Sequence, residues 1–332
     1  MLFEFDADQR LWQDTVREVV AKECAPTFVR NVVDAGADPG QPWLRYVELG
    51  WTELTDAESA VELAIVLEEL GRATDPTPYL ATMTQFAPLA PAFVDPERSG
   101  TAVHEGIAAH RVGGDWVLDG SAKYVLDGDR AERLAVVTGA GVFVVPADRV
   151  DAVRSPTFDP TLHLAEVRLN GVVVEDGARS DVDPARARDI ALTGVAMTTV
   201  GACQRILDLA IEHIRGREQF GQPIGSFQAV QHKAVDMHVA IERARALAYF
   251  AALAISADDP RRRVAASMAK AAAGECQSLV FRNGLQLFGA MGFTWENDLQ
   301  FALKRAKAGE LMLGGAAEHR ALIAAARDAH EI

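Results

Sequence analysis

The sequence predicts an α+β chain in three parts: an N-terminal α-helical domain over residues 1–100, a middle antiparallel β domain over 101–183 and a C-terminal four-helix bundle over 184–332. Three observations predict it. Apolar residues recur at helical spacing up to about residue 95. Between about 101 and 182 the apolar runs become short, β-branched and broken by Gly or Asp. From Pro184 the helical period returns and holds to the end, in long segments separated by few breaks.

The first helix covers 7–25, with Leu11, Val16, Val19 and Val20 on one face, Asp6 or Asp8 as N-cap and Pro26 past its end. A second carries Trp43, Leu44, Val47 and Leu49 and stops at Gly50. A third runs from about Ser59 to Leu70 and stops at Gly71, and one or two more fill 77–95. The predicted strands are Gly106–Val112, Trp116–Gly120, Leu134–Thr138, Val142–Pro146 and Glu166–Val174, with Gly113-Gly114-Asp115 as a hairpin turn. The bundle helices cover 186–215, 227–257, 260–289 and roughly 315–328, with Asp258-Asp259-Pro260 marking one break.

The chain has 332 residues, 49% of them hydrophobic, which is enough for a large core and excludes a disordered protein. A net charge of −14 argues against nucleic acid and anionic membranes as partners. No apolar run reads as membrane-spanning, and the acidic start Met1-Leu-Phe-Glu-Phe-Asp lacks the form of a signal peptide. Cys24, Cys203 and Cys276 are widely spaced and read as reduced, buried thiols of a cytoplasmic protein. The eight histidines make no metal-binding spacing, so no metal is expected.

Two segments carry the chemistry. The first is Arg217-Glu-Gln-Phe-Gly-Gln-Pro-Ile-Gly-Ser-Phe-Gln228, between two long helical patterns. Arg217 suits a diphosphate, Gln219 adds an amide, Phe220 and Phe227 offer apolar faces, and Gly221 and Gly225 admit close backbone approach. The second is Gly284-Leu-Gln286-Leu-Phe-Gly289-Ala290-Met-Gly292-Phe293-Thr294-Trp-Glu296, a helix end running into a Gly-rich turn.

On these residues the chain resembles the acyl-CoA dehydrogenase family. The first segment is similar to the family's FAD-contacting turn and the second to its QxxGGxGYTxE motif. Leu67-Glu-Glu-Leu-Gly-Arg-Ala-Thr-Asp-Pro-Thr-Pro78 is similar to the N-terminal domain of bacterial members. The resemblance implies the fold of that family and FAD as cofactor. It also implies that Arg217, Gln219, Phe220, Phe227, Gln228, Gln286, Gly289 and Ala290 contact the FAD of a neighbouring subunit.

The family removes an α-proton with a Glu while the flavin accepts the β-hydride. Carried over by counting from Gln286 and from Gln204, the two family positions for that Glu fall at Leu313 and Ala191, and a neighbouring Arg at Leu192. Neither Leu nor Ala accepts a proton. Nearby carboxylates are Asp189, Glu310 and Glu318, of which Glu310 is the fallback base.

The β domain departs too. His104-Glu-Gly-Ile-Ala-Ala-His110-Arg stands where relatives carry a flavin-contacting strand and loop. Lys123-Tyr124-Val125-Leu126-Asp127-Gly128 stands where relatives carry Lys-x-Trp-Ile-Thr/Ser-Asn, so Asp127 would bring a negative charge towards the flavin. The chain therefore resembles the shorter, base-less subunit of the α2β2 acyl-CoA dehydrogenases of actinobacterial steroid degradation. That implies a non-catalytic subunit completing the FAD site of a catalytic partner, a bulky or steroid side-chain CoA thioester as substrate, and an electron-transfer flavoprotein as acceptor. Two alternatives stand beside it: a self-sufficient homotetrameric enzyme using Glu310, and a binding or regulatory relative without redox chemistry.

Overall fold

The computed structural model describes residues 5–328; Met1–Glu4 of the acidic start lie outside the described residues, as do the last four positions. Helix α1 is Ala7–Glu23, α2 Pro26–Ala35, α3 Gly40–Glu48 and α4 Ala60–Ala73. A broken helical stretch follows as α5 Tyr79–Ala81, a π-turn Thr82–Phe86 and α6 Ala87–Leu89. The strands are β1 Gly100–Val103, β2 Ile107–Val112, β3 Asp115–Leu126, β4 Arg133–Thr138, β5 Gly141–Pro146, β6 Asp151–Ser155, β7 Leu164–Val174 and β8 Arg179–Ser180. Next come α7 Pro184–Gly216, a two-strand ribbon of β9 Glu218–Gln219 and β10 Gln222–Pro223, α8 Gln228–Ser256, α9 Arg262–Phe288, α10 Leu299–Leu311 and α11 Ala316–Asp328.

Packing groups these elements into two compact units. One holds residues 1–36, 57–75 and 192–332; the other holds 37–56 and 76–191. β1 begins at Gly100 and α7 at Pro184, where the sequence period changes, but the packing units cut across the three-part division by period.

In the first unit α1 starts with a reciprocal capping box between Asp6 and Gln9, so Asp6 is the N-cap. Pro26 opens α2 at its first turn, where a missing N–H costs nothing, instead of only ending α1; this helix is absent from the sequence expectation. Helix α4 runs on through Gly71 to Ala73, capped by Thr74 in a left-handed conformation. It lies hard against α7: a Cβ on Gly201 would sit 1.9 Å from the Glu68 carbonyl oxygen, so only glycine admits this approach. A polar network ties α4 to α8, with Arg245 Nε 2.7 Å and Tyr249 Oη 2.8 Å from the Glu68 carboxylate.

The expected bundle helices are α7, α8, α9 and α11. The structure adds α10, packed against α9, so among the described residues five α-helices run from Pro184 onwards instead of four. By length and composition α7 could cross a membrane, contrary to the expectation that no run reads so. But 83% of its most apolar window is buried in the protein, as in a core helix. The three cysteines are buried thiols outside any disulfide.

The second unit is built on two four-stranded sheets, ordered β1-β4-β5-β8 and β2-β3-β7-β6. The second sheet is antiparallel throughout, but β1 pairs with β4 in parallel, which corrects the all-antiparallel expectation. Alternating residues of both sheets, among them Leu118, Leu134, Val136, Phe143, Val145 and Val167, form one core. Each such side chain contributes on the order of 1.5–3 kcal/mol by leaving water. Strand β3 extends past Gly120 to Leu126 through two register shifts. At the head of the unit Tyr46 stacks on Trp51 with centroids 5.0 Å apart, and Tyr79 donates to the Trp51 carbonyl at 2.7 Å.

Candidate functional site

The segment after α7 folds as a tight hairpin. Gln219 pairs with Gln222 and Glu218 with Pro223, leaving Phe220-Gly221 as a two-residue loop. Both loop residues have positive φ, 56° and 78°, as a hairpin turn matching the strand twist requires. Glycine adopts this freely; a phenylalanine there is unusual. The turn holds Phe220 90% exposed, edge-on to Phe227 with centroids 6.1 Å apart. The Gln231 side chain closes the segment by donating to the Gly225 carbonyl at 3.0 Å.

The second motif ends α9. Gly289 terminates the helix at φ 62°, ψ −140°, a conformation open to glycine and costly for other residues. A 3-10 turn, Gly289–Phe293, follows. It leaves Met291 and Phe293 51% and 77% exposed.

The two motifs meet. Arg217, Gln219, Phe220 and Phe227 from the first, and Gln286, Gly289 and Ala290 from the second, line one open groove of about 550 Å³. Gln228 is the exception: it is the first residue of α8 and stands outside the lining. Two side chains that sequence reading passes over join the groove, His213 and Lys233. His213 stacks on Phe288, centroids 4.3 Å apart and nearly coplanar at 14°. Burial, with Arg217 nearby, holds its imidazole below the usual histidine range, hence neutral at pH 7. The available signal was spacing: His213 lies one helical turn before Arg217, whose backbone N–H bonds to its carbonyl.

The electrostatics of the groove are one-sided. Its lining contains Arg217 and Lys233 and no carboxylate, on a chain of net charge −14. Among the described residues neither cationic side chain has an ion-pair or hydrogen-bond partner. A local positive site on an acidic surface attracts an anion and orients it. Exposed aromatic faces beside it suit a planar ring.

The counted base positions are apolar. Ala191 is buried on α7. Leu313 lies in the α10–α11 turn at φ 57°, followed by Gly314 at φ 98°. The turn's carbonyls are already used. Buried Lys270 donates to Glu310 O at 2.9 Å and Gly314 O at 2.7 Å, and His319 Nε2 lies 3.0 Å from Leu313 O. The Lys270 ammonium thus caps the end of α10. Of the nearby acids, Glu310 is held by Lys307 at 2.8 Å with its side chain 16% exposed. Asp189 is buried, and Glu318 sits exposed on the first turn of α11.

In the second unit Asp127 is buried and turned onto Arg130, which holds it at 2.6 Å. Burial pushes its carboxyl above the usual range and Arg130 pulls it back. Its carboxylate is held inside a local turn, Asp127–Arg130, whereas the sequence reading brings its charge towards the flavin. His104 is half-buried 3.3 Å from Gln85, and burial, with Arg188, lowers its pKa to about 4. Among the described residues no cluster of histidine, cysteine or carboxylate could hold a metal ion.

Residues 192–327 match the family model "Acyl-CoA dehydrogenase, C-terminal domain". The chain is similar to the acyl-CoA dehydrogenase IpdE2 of Mycobacterium tuberculosis, 34% identical over 90% of this chain and 91% of that protein. Its fold is similar to that of a chain in the ChsE4-ChsE5 complex of Mycobacterium tuberculosis, with TM-score 0.88, 23% identity and coverage of 99% of both chains. It is also similar to a chain of a variant of the Tcur3481-Tcur3483 steroid ACAD, with TM-score 0.86, 24% identity and coverage of 97% of this chain and 98% of that one. Matched over nine-tenths of its length by such a relative, the chain belongs to the acyl-CoA dehydrogenase family of FAD-dependent oxidoreductases.

Proposed function

We propose that this chain is the non-catalytic subunit of a heteromeric, cytoplasmic acyl-CoA dehydrogenase, and that its groove completes the FAD site of a catalytic partner. The carrying observation is the contrast on one chain between the groove and the base positions. The groove gathers Arg217, Lys233 and uncovered Phe220. The positions counted for the base are Leu313 and Ala191.

The groove fits part of a flavin dinucleotide. Arg217 forks onto a diphosphate, Lys233 adds a point charge, and Phe220 and Phe227 cover an aromatic ring. Gly289 carries no side chain, so a ligand can come close to the backbone of the turn there. The groove is open, so part of a bound dinucleotide's surface would be left to a second chain. Bound FAD supplies acceptance of the β-hydride. The α-proton goes to a carboxylate of the partner, since Leu313 and Ala191 cannot hold it.

The relatives support the partner and the substrate class. One solved neighbour is a complex of ChsE4 with ChsE5, and another is described as a steroid ACAD. By that likeness the assembly is α2β2, the substrate is a bulky CoA thioester such as one with a steroid side chain, and an electron-transfer flavoprotein takes the electrons.

The alternative, a self-sufficient enzyme with Glu310 as base, gains nothing from the geometry, because Lys307 already pairs with that carboxylate. Turnover of a steroid side-chain CoA thioester decides between them. The chain alone gives none, and the chain co-purified with its catalytic partner gives turnover that survives Glu310→Gln. Turnover by the chain alone, abolished by Glu310→Gln, would overturn the proposal.

A further inference from the structure

A second cavity, of about 310 Å³, opens among the helices of the first unit and shares no lining residue with the groove. Its walls come from α1, α2, α4 and α10, with Arg205 reaching in from α7. The motif at Leu67–Pro78, which the groove does not use, supplies Glu69, Arg72 and Thr74. Most of the wall is apolar, including Val20, Val29 and Phe301.

The charges of the wall can be paired off one by one. Glu69 accepts from Arg17 Nε at 3.1 Å and Nη2 at 2.7 Å. Arg72 is held by Asp208 at 2.6 Å. Asp298 accepts from Arg30 Nε at 3.1 Å and Nη2 at 2.5 Å. Arg205 is left over. It is half-buried, and among the described residues its side chain has no ion-pair or hydrogen-bond partner. Burial makes an uncompensated charge costly, and an anion entering the cavity would remove that cost.

We propose that this cavity is a binding site for a small amphipathic monocarboxylate, its carboxylate forked by Arg205 and its apolar body against Val20, Val29 and Phe301. One free guanidinium matches one carboxylate bidentately. A dianion would meet the paired carboxylates of Glu69 and Asp298 without a second free cation. The volume lies at the low end for ligand pockets, which limits the body to roughly eight carbons. The proposal does not depend on the flavin role of the groove.

Octanoate is the probe and octan-1-ol its neutral counterpart, each titrated by calorimetry into the purified chain. Octanoate is expected to bind with Kd on the order of 0.1–1 mM. Arg205→Gln should weaken it about tenfold or more, and Arg205→Lys should recover part of the loss. Octan-1-ol should bind wild type and Arg205→Gln alike. Ala21→Phe, at an exposed wall residue, should block both ligands, with circular dichroism confirming that each variant is folded. Absence of octanoate binding up to about 10 mM would overturn the proposal, as would undiminished binding by Arg205→Gln or by Ala21→Phe.

Discussion

The groove and the Asp127 turn treat their charges in opposite ways. In the groove Arg217 and Lys233 line an open, acid-free concavity without partners among the described residues, and Phe220 stands 90% exposed on a positive-φ turn. In the β unit Asp127 is closed off by Arg130, and Asp129 by His163 at 3.0 Å. A surface that leaves cations and aromatic faces unmet is built to meet something outside the chain. A segment that satisfies its own charges is built to hold itself together. The α7–α8 and α9–α10 turns thus present unmet cations and rings, whereas the segment around Asp127 in the β unit satisfies its own charges.

Four tests can break that comparison, the strongest effect first. If Asp127 is scaffold, Asp127→Asn leaves Arg130 without its counter-ion and costs about 3 kcal/mol of stability in urea unfolding. No loss of stability would mean that Asp127 is not the anchor of its turn. If Arg217 holds a diphosphate, Arg217→Ala weakens FAD retention by the complex about 30-fold without lowering the chain's own melting temperature. Full flavin content in that variant would remove Arg217 from the site.

A third test uses pH. His104 has a folded pKa of about 4 against 6.5 unperturbed. The unfolded chain therefore takes up a proton that the folded one refuses, and stability falls as pH drops from 6.5 towards 4, by at most about 3 kcal/mol. Above 6.5 both states are neutral there and the contribution is level. His104→Gln should flatten the slope; an unchanged slope would place the titration elsewhere. The smallest effect is expected at Glu310, where Glu310→Gln should leave turnover of the complex unchanged, since its carboxylate serves Lys307.

Much of this was legible in the sequence. The long bundle helices, the β region and the residues that gather at the groove, Gln228 excepted, could be read from period and motif, because helical spacing and glycine-rich turns are local signals. What escaped depends on tertiary context. Pro26 reads equally as a helix stop and as a helix start, so α2 was lost. Helix α10 is short and its apolar face is interrupted by Lys304, Arg305 and Lys307, although Arg305 is buried and reaches the Asp75 carbonyl at 2.8 Å. The parallel pairing of β1 with β4 joins strands that are not neighbours in the chain, which no local pattern encodes. His213 and Lys233 join the groove only once α7, α8 and α9 are packed.

The most direct test is the visible spectrum and the FAD-to-chain ratio, measured on this protein alone and then co-expressed with a catalytic acyl-CoA dehydrogenase chain of the same genome. The account predicts colourless protein alone and about one FAD per two chains in the complex, as a cofactor site shared across unlike subunits requires. Yellow protein purified alone, carrying about one FAD per chain, would contradict it.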